Sequence, residues 1–171
     1  MNTKGTTEEF FLASYDAYQD AIFRYVLFQT NNREVALDLT QETFAKAWEY
    51  LVSGKTIDMM RPFLYRIAGN LVIDYRRKKK SDSLDSMMEN GFDPGATEDE
   101  DHADRFEREQ VLQIVGQIEE KYRDVIIMRY IEDMSVKDMA KVTGETENAI
   151  SVRIHRGLEK VRTTLAHHEH D

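Results

Sequence analysis

The sequence contains no cysteine. That excludes a disulfide framework and any thiolate metal site, and it fits a reducing cytoplasm. It has two prolines, one near the start of a helical pattern and one in a polar stretch, so neither interrupts a helix interior. No apolar run approaches the roughly 20 residues needed to cross a bilayer. The opening MNTKGTTEEFF is polar and acidic and lacks the apolar core of a secretion signal. A phosphate-cradling glycine loop, a nucleophile elbow and a zinc-protease histidine pair are also missing. Carboxylates are plentiful, but nothing singles out a catalytic pair. The expectation is a protein with no enzyme activity and no cofactor.

What remains is a chain of 171 residues, 41% hydrophobic and 32% charged. This describes a soluble, ordered, helix-leaning protein, long enough for one ordinary domain or two small ones. Its net charge of −9 argues against nucleic acid only until its distribution is considered. From Arg61 to Lys80, the cations Arg61, Arg66, Arg76, Arg77, Lys78, Lys79 and Lys80 face Asp74 alone. From Ser81 to Asp104 there is no Lys or Arg. Asp82, Asp85, Glu89, Asp93, Glu98, Asp99, Glu100, Asp101 and Asp104 make that stretch strongly negative. A basic block followed directly by an acidic one is a local signal that the total conceals.

The basic block reads RPFLYRIAGNLVIDYRRKKK. At about 100° per residue, Leu64, Ile67, Ala68, Leu71, Val72 and Tyr75 share one side of a helix. Arg66, Asn70, Ile73 and Arg77 lie opposite. One face can pack while the other offers amide and guanidinium groups, which suit bases and phosphates. The plainer alternative is a surface helix whose terminal cations complement its dipole.

Upstream, about Thr7 to Gln29 reads as a helix with abundant apolar residues but no single clean stripe. Asn31-Asn32 gives a turn and a cap. A second helix runs from roughly Arg33 to Leu51, with Val35, Leu39, Phe44, Ala47, Trp48 and Leu51 as its apolar positions. Ser53-Gly54-Lys55 breaks the pattern. The third helix starts near Asp58, a good cap residue, and Pro62 is tolerated because first-turn amides lack intrahelical acceptors. The acidic stretch, with Gly91, Pro94 and Gly95, reads as a solvated tether. Its Glu98-Asp99-Glu100-Asp101 run lacks the glycine turn and alternating spacing of a calcium loop.

Helix resumes from about Arg105 to Glu120, with Phe106, Val111, Leu112, Val115 and Ile118 apolar, and a shorter helix spans Tyr122 to Tyr130. In the segment Ser135–Arg162, Ser135 and Asp138 form a cap signature and Gly144 sits in a short turn. Ile150, Ile154, Leu158 and Val161 then repeat on one side, with Gly157 beside them. Two helices around a brief glycine turn form a helix-turn-helix pattern, whose second helix enters the major groove. His167, His168 and His170 fit an exposed tail better than a metal site. The fold expected is all-α, with a helical domain over residues 7–80, an acidic linker over 81–104 and a helix-turn-helix domain over 105–165.

That order of features resembles the extracytoplasmic-function (ECF) class of bacterial RNA polymerase sigma factors, over about Phe10 to Leu165. Asp38-Leu39-Thr40-Gln41-Glu42-Thr43-Phe44, with Ala47-Trp48, looks like the family's region 2.2 motif. The resemblance implies that this helix docks on the clamp coiled coil of the polymerase's largest subunit. Asp38, Gln41 and Glu42 would supply acceptors, with Phe44 and Trp48 as apolar anchors, although Trp48 equally suits a core. Phe63-Leu64-Tyr65-Arg66-Ile67-Ala68, then Asn70, Asp74, Arg76 and Arg77, looks like the segment that reads the minus-10 element. There Asn70 and the loop from Val52 to Met60 would hold an unpaired base, and Asp74 would position Arg77 or Lys78. The Arg76, Arg77, Lys78 and Lys79 run would bind phosphates.

The C-terminal third resembles region 4, which reads the minus-35 element and touches the polymerase flap. Glu147, Asn148, Ser151, Val152 and His155 fall toward bases, with Arg153, Arg156 and Lys160 as phosphate clamps. Three departures stand out. Phe63 replaces a common Trp, Ile118-Glu119-Glu120 replaces a usual Leu-Pro pair, and Ser151 replaces a frequent Lys. The resemblance implies polymerase core and promoter DNA as partners, an anti-sigma factor, and a cytoplasmic location. A stand-alone helix-turn-helix regulator would explain Ser135–Arg162 but leave both upstream motifs as coincidence. The acidic tether should compete with DNA for the basic blocks. Neutralising Asp99, Glu100, Asp101 and Asp104 should therefore tighten DNA binding by the free protein at low salt, measured by fluorescence anisotropy.

Overall fold

The computed structural model describes residues 5–82 and 102–168, and its regular elements are helical. They are α1 (Thr7–Thr30), α2 (Arg33–Val52), α3 (Met60–Asp82), α4 (His102–Gln117), α5 (Glu120–Ile126), a π-helical turn (Ile127–Ile131), α6 (Val136–Thr143) and α7 (Glu147–His168). The all-α architecture expected from the periodicity is the one observed. The acidic run is shorter than expected between the helices: α3 continues through Asp82 and α4 begins at His102. Its Glu98–Asp101 cluster lies outside the described residues.

Polar residues at the helix ends set the N-terminal unit. Thr6 Oγ1 accepts from the Glu9 amide at 3.1 Å, and the Glu9 carboxylate accepts from the Thr6 amide at 2.9 Å. This is a reciprocal capping box. At the other end Asn31 takes the left-handed conformation, with φ of 51°, which Asn tolerates better than most residues. Asn32 then caps α2 by accepting from the Val35 amide at 3.1 Å. The Asn-Asn pair thus makes both the turn and the cap. Helix α3 begins at Met60, one residue later than an Asp58 cap predicts, and Pro62 sits buried in its first turn.

Ile22, Val26, Ala36, Phe44, Ala47, Leu64, Tyr65, Ala68 and Val72 form the core of this unit. The α3 stripe is buried or half-buried as its spacing requires, and Arg66, Asn70, Ile73 and Arg77 face outward. Helix α1 has no single stripe because its two halves meet different neighbours. Phe11 and Tyr15 pack on Phe44 of α2, whereas Tyr25 packs edge-on against Tyr65 of α3.

In the C-terminal unit Leu112, Val115 and Ile118 are buried, but Val111 is 40% exposed. One step of about 100° carries it off the packed face. The start of α5 has no side-chain cap. Instead the Arg123 fork donates to the carbonyls of Val115 at 3.0 Å, Gly116 at 2.8 Å and Ile118 at 2.9 Å. It thereby satisfies the otherwise orphaned end of α4. Burial pushes the Arg123 pKa below its ordinary value.

The single helix expected over Tyr122–Tyr130 is instead α5 followed by the π turn. There the Glu132 amide donates back to the Ile127 carbonyl at 3.0 Å, and Asp133 follows with φ of 48°. Ser135 caps α6 by accepting from the Asp138 amide at 3.1 Å, and Gly144, at φ 75°, ends it in the left-handed region. A Cβ at Gly157 would lie 2.9 Å from the Ile126 side chain, so glycine lets α7 approach α5 closely.

The two units meet across a polar contact. The Glu132 carboxylate accepts from Arg24 Nε and Nη2, both at 2.8 Å, and from the Tyr65 hydroxyl at 2.7 Å. Arg61 donates to the Glu132 carbonyl. Charge-assisted bidentate pairing of this kind is among the stronger protein hydrogen bonds. The Glu132 bond is the main cause that raises the Arg24 pKa. Arg123→Lys should lower unfolding stability by about 1–3 kcal/mol, because one ammonium cannot meet three diverging carbonyls. Urea denaturation followed by circular dichroism measures this.

Candidate nucleic-acid interface

Three surfaces carry the residues that the sequence singles out. On the outer stripe of α3, Arg66, Asn70, Asp74, Arg77, Lys78 and Lys79 are all exposed. Asp74 Oδ1 lies 3.9 Å from Arg77 Nη1, with both side chains more than two-thirds exposed. Such a pair is weak in water but sits where Asp74 can orient Arg77. Arg76 departs from expectation. Its side chain is 15% exposed, donates to the Gln29 carbonyl at 2.9 Å and also to the Gln29 side chain, and lies 3.8 Å from Glu120. Here Arg76 ties helices together instead of standing free for phosphate, because its position on the helix turns it inward between α1 and α5.

Beside the start of α3, Thr56, Ile57, Asp58, Met59, Pro62, Phe63 and Arg66 line an open cavity of about 420 Å³. The loop expected to hold a base therefore does border a pocket. Asn70 is not in its lining; it lies one helical turn beyond Arg66. Lys141, from α6, also lines this cavity, and no local residue pattern signals it.

On α2, Asp38, Gln41 and Glu42 are exposed on one face. Glu42 pairs loosely with Lys46 at 3.8 Å. Phe44 requires a correction as an anchor. It is 3% exposed, its ring 4.8 Å from that of Tyr15, so it supports the surface from beneath. Trp48 is half-buried, its ring centroid 5.0 Å from Phe11. Phe11, Leu12, Tyr15, Phe44 and Trp48 line a shallow, largely apolar groove, with Leu12 52% and Tyr15 37% exposed. The α1 contribution was hidden in the sequence. Its only trace was an apolar pattern too broad for one stripe.

On α7, Glu147, Asn148, Ser151, Val152, His155 and Arg156 are exposed as the periodicity requires. Ser151 Oγ donates back to the Glu147 carbonyl at 2.9 Å. His155 lies 3.5 Å from Glu159, an ion pair only when the imidazole is protonated. Lys160 is exposed and pairs with Glu119 at 3.2 Å. Arg153 is not a phosphate clamp in this arrangement. Its side chain is 21% exposed, with Asp124 at 2.8 Å. It also donates to Glu145 and to the Lys121 carbonyl, at 3.0 Å from Nε. It braces α7 against α5, because it projects from the flank of α7 toward the packed side. Burial raises the Asp124 pKa from the ordinary carboxylate range, and the Arg153 charge opposes that shift.

Among the described residues no group of three His, Asp or Glu side chains is placed to hold a metal ion. His167 is exposed near the end of α7, and His170 lies outside the described residues. No helix among them is long and apolar enough to cross a membrane.

A helix-turn-helix unit beside a three-helix unit with an exposed polar stripe along α3 defines a two-unit, all-α protein. The sigma-70 region 2 family profile matches residues 14–81 and the sigma-70 region 4 profile matches residues 108–161. ECF RNA polymerase sigma factor SigW of Bacillus subtilis is 32% identical, over 88% of this chain and 86% of its own. ECF RNA polymerase sigma factor SigL of Mycobacterium tuberculosis is 30% identical, over 90% of this chain and 87% of its own. The fold is similar to that of the sigma factor RpoE, solved in complex with the anti-sigma factor NepR from Bartonella quintana. That match has a TM-score of 0.73 at 20% identity and covers 91% of this chain and 96% of the other. The chain belongs to the ECF RNA polymerase sigma factors, the class of subunit that directs bacterial RNA polymerase to specific promoters. The region 2 match leaves no room for a stand-alone regulator whose N-terminal motifs are coincidence.

Arg153 and Arg156 should separate in experiment. Arg153→Ala should lower the melting temperature, since it leaves the half-buried Asp124 carboxylate without its partner and removes a helix brace, a loss of about 1–3 kcal/mol. Arg156→Ala should leave melting unchanged and weaken DNA binding instead. Thermal denaturation and anisotropy titrations of both variants test the assignment.

Proposed function

We propose the following division of labour for this sigma factor. Residues 7–80 bind core polymerase and read the minus-10 element, residues 81–104 connect, and residues 105–165 read the minus-35 element. The chain performs no chemistry itself; polymerase supplies it. The protein works in the cytoplasm, where its polymerase partner is. The observation that carries this reading is the outer stripe of α3. Arg66, Asn70, Asp74 and Arg77 lie exposed along one face, above a buried stripe and beside a cavity large enough for a nucleobase.

Phosphate contacts position a protein on DNA, while base contacts specify the sequence. Arg77, Lys78 and Lys79 are the phosphate cations and make binding salt-sensitive. The cavity bordered by Arg66 and Phe63 receives an unpaired base, and Asn70, one turn on, reads a neighbouring position. Asp38, Gln41 and Glu42 offer acceptors to a basic partner helix on the polymerase clamp, and Trp48 lends an apolar edge. On α7, Glu147, Asn148, Ser151, Val152 and His155 face base edges, and Arg156 and Lys160 face phosphates. An anti-sigma factor is the regulating partner, as in the solved relative bound to one.

Transcription from genomic templates with purified core polymerase tests the whole. Addition of this chain should produce defined transcript starts without another specificity subunit, and none would appear from a regulator that does not bind core. Asn70→Ala and Arg77→Ala should impair promoter opening, read by permanganate footprinting, more than core binding. Asp38→Ala and Glu42→Ala should do the reverse, visible as lost co-purification with polymerase. Equal loss of both activities in either pair would contradict the assignment.

A further inference from the structure

We infer that the recess where the ends of α1 and α3 meet the start of α5 is a binding site for a small anion that carries a diphosphate group. Its volume is about 300 Å³, at the lower end of the range for ligand pockets. Arg76, Lys79, Lys80 and Arg123 line it against a single carboxylate, that of Glu120. This is not the stripe proposed to meet DNA. At about 100° per residue, Tyr75 and Lys79 lie on the side of α3 away from Asn70 and Arg77. Gln29 and Thr30 of α1 and the two residues of α5 complete the wall. Of its cations only Lys79 is also assigned above to DNA phosphates.

Two of the cations are fixed before any ligand arrives. Arg76, 15% exposed, is held by the carbonyl and the side chain of Gln29. Arg123 is held by the three carbonyls at the end of α4. Two guanidiniums anchored near each other repel, and the Arg76 charge adds to burial in lowering the Arg123 pKa. An anion in the recess offsets that repulsion. Because both forks are already ordered, little side-chain entropy is lost when it binds.

Glu120 shows what the recess accepts. One of its oxygens lies 3.8 Å from Arg76 Nε and the other 3.8 Å from Lys80 Nζ, so a two-oxygen anion already bridges these cations. Both contacts are longer than a hydrogen bond, and the Glu120 side chain is 46% exposed, so it can swing aside into water. An exposed ion pair of this kind contributes little. A phosphate, with greater charge and three acceptor oxygens, forms shorter charge-assisted bonds in its place. Lys79 and Arg123 supply the charge for a second phosphate. Tyr75, half-buried in the same lining, offers a ring to a nucleoside attached to the diphosphate.

Isothermal titration calorimetry of the full chain at fixed ionic strength provides the test, with pyrophosphate, ADP, orthophosphate and sulfate as probes. Pyrophosphate and ADP should bind roughly tenfold more tightly than orthophosphate or sulfate. At about a hundred times its dissociation constant, pyrophosphate should raise the melting temperature by roughly 5 °C. Tighter binding of ADP than of pyrophosphate identifies a nucleotide as the source of the diphosphate, and equal or weaker binding identifies the inorganic anion. Lys80→Ala should weaken pyrophosphate binding roughly tenfold, through loss of one charge-assisted contact. Glu120→Gln should strengthen it by about as much, because the resident carboxylate no longer competes. Both positions are exposed, and circular dichroism should show native helix content in each variant. Arg77→Ala should leave pyrophosphate binding unchanged. The site is overturned if pyrophosphate does not bind, if sulfate matches it, or if its affinity ignores both Lys80→Ala and Glu120→Gln. Loss of binding in Arg77→Ala also overturns it, by placing the anion on the outer stripe. These measurements involve neither polymerase nor promoter DNA, so their outcome is separate from that of the promoter reading.

Discussion

A carboxylate removed from water must be met by donors, and the contact between the two units of this sigma factor is organised around that requirement at Glu132. Burying an unpaired carboxylate costs far more than a domain contact of this size returns. Arg24, Tyr65 and Arg61 must therefore stand together on the facing surface. That condition fixes how α1 and α3 lie relative to each other at this point, and it fixes the angle at which the π turn delivers its final residue. The polar knot thus sets orientation, while the apolar cores on either side supply most of the stability.

The same economy governs the cations. The chain carries fewer Lys and Arg than Asp and Glu, and several of its cations have structural duties. Arg123 closes the end of α4, Arg153 braces α7 on α5, and Arg76 joins α1, α3 and α5. The cations left outermost include Arg66, Arg77 and Arg156, which are the ones proposed to meet DNA. Guanidinium suits both duties, since its planar fork satisfies several carbonyls or a carboxylate at once. A charge count alone cannot tell brace from clamp.

Much of the local structure was legible in the sequence because it depends on neighbours in the chain. Asn31-Asn32, Ser135 with Asp138, and Gly144 announced their turn and caps, and the buried stripe of α3 followed from its spacing. The exposure of Asn70 and Asn148 came with those stripes. Other features were not legible. Phe44 looked like an anchor because apolar residues on a motif helix can face either a core or a partner, and only the rings of Phe11 and Tyr15 decided that it lies beneath the surface. Arg153 looked like a clamp because its partners, Asp124 and Lys121, lie about 30 residues earlier. The π turn was hidden because it ends a short helix, so too few residues follow it to reveal the shift of about 100° that an extra residue makes.

By itself the sequence determined the helices, their caps, the basic and acidic blocks and the family motifs, since each arises from residues within a few turns of one another. The tertiary structure decided which charges are spent on packing, that Lys141 borders the cavity beside α3, and that Glu132 joins the two units. These depend on residues far apart in the chain. Arg24 and Glu132 are separated by 108 positions, and their meeting is set by how two cores pack, which no local periodicity encodes.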